Sequence, residues 1–195
     1  MVSGLLLLTS LACSSSDPIQ SGNVNLPVVA STSPAYSGPY QWARLQLDQI
    51  TLRPTDAQAN AYLQIPLGLL RSFGQVDARS AVPVTVATTP LRAGTYRLES
   101  LRVAALSLNV APTAPQLSTG CSGTGELTEA RVGSAIILQF ANPPVLQVLQ
   151  DGSVEVNVVL DGPGFVNMLT SLPFQCGGAF PTPTPEQLAQ VITVN

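Results

Sequence analysis

Alternation with a period of two runs through this chain from Ala43 onward, and it limits the possible folds more than any other feature. The plainest case is Ser153 to Leu160, where Val154, Val156 and Val158 alternate with Glu155 and Asn157. Successive side chains on a strand point to opposite faces, so this pattern buries one face and wets the other. Ala43, Leu45 and Leu47 repeat it against Arg44 and Gln46, but the next apolar pair, Ile50 and Leu52, is one residue out of phase. An extra residue near Asp48-Gln49 restores the phase if the strand carries a β-bulge there. Between Thr95 and Val110 the sets Tyr96/Leu98, Leu101/Val103/Ala105 and Leu106/Leu108/Val110 change phase twice. That predicts one bent or bulged strand, or a strand pair.

Shorter strands are expected at Ala61 to Ile65, closed by Pro66, and at Val82 to Val86, Ala135 to Phe140, Val145 to Leu149 and Val191 to Val194. Pro83 lacks an N–H, so Val82 to Val86 is expected at a sheet edge or with Pro83 facing outward. Asp151-Gly152 between two apolar runs predicts a hairpin. Leu67 to Phe73 fits one helical turn or a buried strand. Phe165 to Leu172 fits a short helix, and Thr184-Pro185-Glu186 opens a further helical turn to Gln190. Asp161-Gly162-Pro163-Gly164 reads as a closing turn. The expected fold is all-β, an antiparallel sandwich, Ig-like or transthyretin-like, of about 7–9 strands with one or two short helical turns.

Charge narrows the function classes. Charged residues make up 10% of the chain, against a usual ~25%. All eight basic residues are Arg, His is absent, and the net charge is −3. Nucleic-acid binding is therefore not expected, because phosphate neutralisation needs a basic cluster. Without His or Lys, neither a Ser-His-Asp triad nor a Ser–Lys dyad can be built. Zinc is not expected with no His and so few cysteines. Asp151 and Asp161 flank one strand and so lie at opposite ends, which argues against a shared calcium ion. No metal or cofactor is expected. Glu99, Glu126, Glu129 and Glu155 leave two-carboxylate glycan hydrolysis formally open, but no spacing selects a pair.

The N-terminus carries its own signal. Leu5 to Leu8 with Leu11-Ala12 form a short apolar run ending at Cys13, followed by Ser14-Ser15-Ser16. This segment resembles a bacterial lipoprotein signal peptide, with Ser10 where that family prefers Leu. The resemblance implies that residues 1–12 are removed and that Cys13 becomes the lipidated first residue. Ser14, in place of Asp, then implies the outer membrane of a cell envelope, with the protein facing periplasm or surface. A plain secretory peptide cut nearby remains the alternative. Residues 13–40, rich in Ser and Pro, read as a tether, with Asn25 to Val29 a possible short edge strand. A flexible linker of about 26 residues spans about 30 Å. Residues 41–195 then form the sandwich domain.

Cys121 and Cys176 remain for the body, and a structural disulfide is the expectation. Closing a loop of about 56 residues would stabilise by up to about 4 kcal/mol. The bridge would bring together the loops Ala111 to Gly125 and Phe174 to Pro185, candidate binding loops. Tyr36, Tyr40 and Trp42 cluster before the first body strand. Exposed, they could stack on a sugar or grip a partner; buried, they would cover the sandwich end.

Leu45-Gln46-Leu47-Asp48-Gln49-Ile50-Thr51-Leu52 and Leu91-Arg92-Ala93-Gly94-Thr95-Tyr96-Arg97-Leu98-Glu99-Ser100-Leu101-Arg102-Val103 carry a second resemblance. Together they resemble a bacterial lipoprotein β-sandwich family of unknown function, over about a third of the chain. The Ala-Gly-Thr-Tyr phrase leading into a strand also occurs in transthyretin-like sandwiches. The resemblance implies Gly94 at a tight turn and a buried Tyr96, and it brings no catalytic residues. The functional expectation is a lipid-anchored envelope protein that binds a protein or glycan partner without catalysis. An accessory subunit of an envelope complex or surface fibre, joined through an edge strand, is the alternative.

Overall fold

In a computed structural model, the described residues are 23–40, 42–56, 61–68, 74–109, 135–150, 154–172 and 182–195. They form ten strands and two short helices. The strands are β1 (Asn23–Thr32), β2 (Trp42–Pro54), β3 (Leu63–Pro66), β4 (Gly74–Asp77), β5 (Val84–Arg92), β6 (Gly94–Asn109), β7 (Ile136–Gln139), β8 (Val145–Val148), β9 (Val156–Leu160) and β10 (Ile192–Val194). The helices α1 (Gly162–Ser171) and α2 (Pro185–Ala189) flank β9 and β10 in sequence. Two sheets make the sandwich. One runs β10-β9-β1-β5, and the other is built on the long central pair β2 and β6.

The six-stranded sheet is four strands wide. β4 and β3 lie end to end along the free edge of β2, while β7 and β8 lie end to end along the free edge of β6. Bulges in the long strands explain the breaks. In the β2–β6 ladder Leu47 faces Val103 and Gln49 faces Arg102, so Asp48 is the extra residue. Glu99 and Ala104 are skipped in the same way on β6. The Asp48 carbonyl, freed from the ladder, accepts from Leu67 N at 2.7 Å just past β3. The Glu99 carbonyl accepts from Phe140 N at 3.1 Å just past β7. Each edge strand is therefore interrupted opposite a bulge, where the backbone twists out of register.

These bulges keep the apolar side chains pointing inward. Leu45, Leu47, Ile50 and Leu52 on β2 and Leu98, Leu101, Val103, Leu106 and Leu108 on β6 are all buried. Each is worth roughly 1.5–3 kcal/mol relative to exposure. The facing layer supplies Leu26, Val28, Val156, Val158 and Leu160.

Three expectations about the strands change. Residues 23–40 do not continue the tether; β1 is an internal strand, paired with β5 on one side and β9 on the other. Leu26, Val28, Ala30 and Thr32 alternate inward and are each at most 1% exposed. The β1–β9 pair is parallel, so the sandwich is not purely antiparallel. Nor do β8 and β9 form a hairpin, because β8 pairs with β6 in one sheet and β9 with β1 and β10 in the other. With β1 and β10 on its two sides, β9 has no edge left for β8. The Asp151-Gly152 step thus belongs to a crossover between sheets, and those two residues lie outside the described ones.

The sides of the sandwich close differently. Gly74 packs so tightly on Val86 that a Cβ there would approach the Val86 Cβ to 2.9 Å, and Gly68 N donates to Val86 O at 2.8 Å. The edge of β5 is thereby covered at Val86. On the other side α2 packs against β7 and β10. The expected closing turn at Asp161 is instead the N-cap of α1, its carboxylate accepting from Gly164 N at 3.1 Å. Thr184 caps α2 in a reciprocal capping box with Gln187.

Candidate functional site

Strand register gives the sandwich two distinct poles. At one, Asn23 at the start of β1 lies opposite Arg92, Pro54 opposite Tyr96, and Gly94 opposite Val148. At the other, Trp42 lies opposite Asn109, and Ser33 N reaches Leu160 O.

The second pole holds the sequence-predicted aromatics. Tyr40 is 7% exposed and belongs to the core; Tyr36 stacks on it with centroids 6.1 Å apart. Desolvation, and secondarily Tyr36, raises the Tyr40 pKa. Tyr40 is therefore not an exposed platform, and the pair caps the sandwich end. Trp42 opens β2, described by its backbone alone. Arg79 donates to the carbonyls of Gly38 and Tyr40. Thr32 Oγ1 donates to Asp77 O at 2.9 Å, and Tyr36 N to Ala78 O at 2.7 Å. Gly162 fits where a Cβ would meet Ala78 O at 2.5 Å, Pro34 O at 2.8 Å and Tyr36 N at 2.8 Å. Three chain segments are locked there by backbone contacts.

The first pole is chemically different. Arg53 and Arg97 face each other directly on the outer face of the β2–β6 pair. Like charges placed opposite on a sheet repel. Arg53 lies over the Tyr62 ring, 5.8 Å from its centroid. On the same face, further from this pole, Arg102 pairs with Asp48 at 3.1 Å and Arg44 with Asp77 at 3.3 Å. Arg53, Arg92 and Arg97 have no carboxylate partner among the described residues. Around them sit four exposed apolar side chains: Tyr62 (51%), Leu63 (38%), Val145 (57%) and Leu149 (62%).

The other candidates are weaker or lie elsewhere. A shallow groove of about 500 Å³ between α1 and α2 is lined by Asp161, Asn167, Met168, Ser171, Gln187 and Gln190. Its one carboxylate is committed to capping α1. Glu99 lies on β6 in one sheet and Glu155 just before β9 of the other, and the Glu155 carboxylate accepts from Asn157 at 3.1 Å. Glu126, Glu129, Cys13, Cys121 and Cys176 lie outside the described residues, as do Ala111 to Gly125 and most of Phe174 to Pro185. Among the described residues, no three Asp, Glu, Cys or His cluster as metal ligands, and no helix is long and apolar enough to cross a membrane.

No family model matches this chain, and the comparisons with curated proteins and solved structures found no similar protein. The arginine pole escaped sequence reading because its members come from β2, β5 and β6. The available signal was that Arg53 and Arg97 both occupy outward phases of strands already paired by their apolar patterns.

Proposed function

We propose that this protein is a lipid-anchored binding module of the cell envelope, held to a membrane through Cys13 and presenting a rigid sandwich to a partner. One topological observation carries the reading. β1 enters the domain at the Arg92 pole, whereas β6 ends at Asn109 on the opposite pole and leads into residues 110–134. Anchor and long loop would thus stand at opposite ends. The resemblance of residues 1–13 to a lipoprotein signal peptide supports the anchor. A Cys121–Cys176 disulfide would tie that loop to the segment after α1.

The test is capture of partners from envelope membranes by the acylated protein and by a variant lacking residues 113–124. Loss of specific partners on deletion supports the reading. Identical capture by both forms overturns it, as does an intact mass showing no acyl chains on Cys13.

A further inference from the structure

We infer that the Arg92 pole docks on the headgroups of an anionic bilayer, the one that carries the anchor. The inference rests on the anchoring just proposed and adds what the domain itself does at the membrane.

Three observations converge. The first is distance. β1 begins at Asn23, ten residue steps along the chain from Cys13. Fully extended they reach about 35 Å, and as a random coil about 18 Å. The pole where β1 starts is therefore held near the bilayer. The second is charge. Arg53, Arg92 and Arg97 gather there without a carboxylate partner among the described residues, while Asp56 at the same pole acts on Tyr96. A guanidinium forks onto phosphate oxygens, and phosphates would relieve the Arg53–Arg97 repulsion. The third is apolar surface. Of seven large hydrophobic side chains exposed among the described residues, Tyr62, Leu63, Val145 and Leu149 lie around this pole. Aromatic and aliphatic side chains beside arginines suit the boundary between headgroups and acyl chains.

The occupant is a phospholipid surface rather than a soluble polyanion, because the chain enters at this same pole. The mature chain, residues 13–195 with Cys13→Ser, lacks both the apolar leader and the acyl chains and isolates the pole. Flotation with vesicles of phosphatidylglycerol and phosphatidylethanolamine should show binding that weakens with salt and is absent on phosphatidylcholine. Arg53→Gln with Arg97→Gln should weaken it roughly thirtyfold, at about fivefold per arginine. Leu149→Ser should weaken it too, and Val82→Ser, away from this pole, should leave it unchanged. Unfolding curves matching the parent confirm that the variants fold; Arg92→Gln provides an independent check. No vesicle binding by the parent, or equal binding by the arginine variants, overturns the inference. Binding to dextran sulfate without vesicle binding overturns it in favour of a soluble anionic polymer. Acylation of Cys13 and partner capture are read separately, so failure here leaves the proposed function standing.

Discussion

The hydroxyl of Tyr96 donates a 2.9 Å hydrogen bond to the carbonyl of Arg92. Arg92 ends β5 in one sheet and Gly94 begins β6 in the other, so the bond ties together the corner between them. The Tyr96 ring, 6% exposed, fills the sandwich end beside it. β-Sandwiches use a tyrosine in this way, reaching back a few residues at a corner. The Ala-Gly-Thr-Tyr phrase therefore has a mechanical meaning: a tight turn followed by its own clamp. Tyr96→Phe keeps the ring and removes the clamp. Equilibrium urea unfolding should show a loss of about 1–2 kcal/mol with an unchanged slope.

The same group sets an alkaline limit. Burial, and secondarily Asp56, raises the Tyr96 pKa while Arg92 opposes this; burial and then Tyr36 raise that of Tyr40. The folded state thus favours both neutral phenols. Their contribution is complete below the ordinary tyrosine range and is lost as pH rises from that range through the raised values. Stability should fall on the alkaline side, and Tyr96→Phe should flatten part of that fall. Phenolate absorbance followed alongside unfolding checks this.

Asp48 separates two kinds of effect. Asp48→Ala removes a part-exposed ion pair with Arg102 and should cost at most about 1 kcal/mol. Deleting Asp48 removes the extra residue, so Leu47, Ile50 and Leu52 fall on one face of a regular strand and keep facing inward. The deletion variant should therefore still unfold cooperatively, losing about 1–3 kcal/mol because the Leu67 N–H is deprived of the Asp48 carbonyl. Calorimetry of the two variants distinguishes them.

Gly162→Ala should be costly although the site is glycine for space alone. Its Cβ would press on the carbonyls of Ala78 and Pro34 and the amide of Tyr36, all backbone atoms. About 2–3 kcal/mol should be lost, in the range of overpacked sites. Thr193→Ala, at an exposed position on β10, should change stability by about 0.5 kcal/mol at most.

Thr184→Ala opens the capping box of α2 and should cost about 1 kcal/mol. It should also move Glu186. The Glu186 pKa is lowered by its own backbone hydrogen bond and then by the Thr184 side chain. A depressed carboxylate stabilises above its unfolded value and loses that effect as pH falls through the folded one. An NMR titration should find the Glu186 midpoint below the usual glutamate range, and shifted upward in Thr184→Ala.

What could be read from the sequence follows from what local pattern encodes. The phase slip at Asp48-Gln49 gave the bulge because apolar side chains must face one way along β2. The two slips in β6 point to a single bulge or bend, or a strand pair, where the structure has one strand with two bulges, and Pro83 offers the β5 edge as one of two readings. β4 went unread because Gly74-Gln75-Val76-Asp77 has one apolar side chain, and its pairing with β2 comes from tertiary contact. β1 reads only as a possible short edge strand at Asn25 to Val29 inside a tether, because Ser and Pro, with Pro34 and Pro39, dominate the flanking segments. The alternation Leu26, Val28, Ala30 and Thr32 was present all along. Asp151-Gly152 misled because a turn signal fixes a local bend without saying which sheet receives the next strand. The arginine pole was not readable locally, since pairing of β2 with β6 and β5 turning into β6 bring its members together.

The parallel pairing of Val28 with Val156 has a consequence for how the chain becomes a protein. β1 precedes every other described strand, yet one of its two ladders waits for β9, and β9 needs β10 on its far side. The four-stranded sheet cannot close until β10 is available. Contacts this distant in sequence slow folding and leave apolar strands open meanwhile. Loss of β10 would bare the outer ladder of β9 and, through β9, weaken β1 at the other end of the chain's strand order.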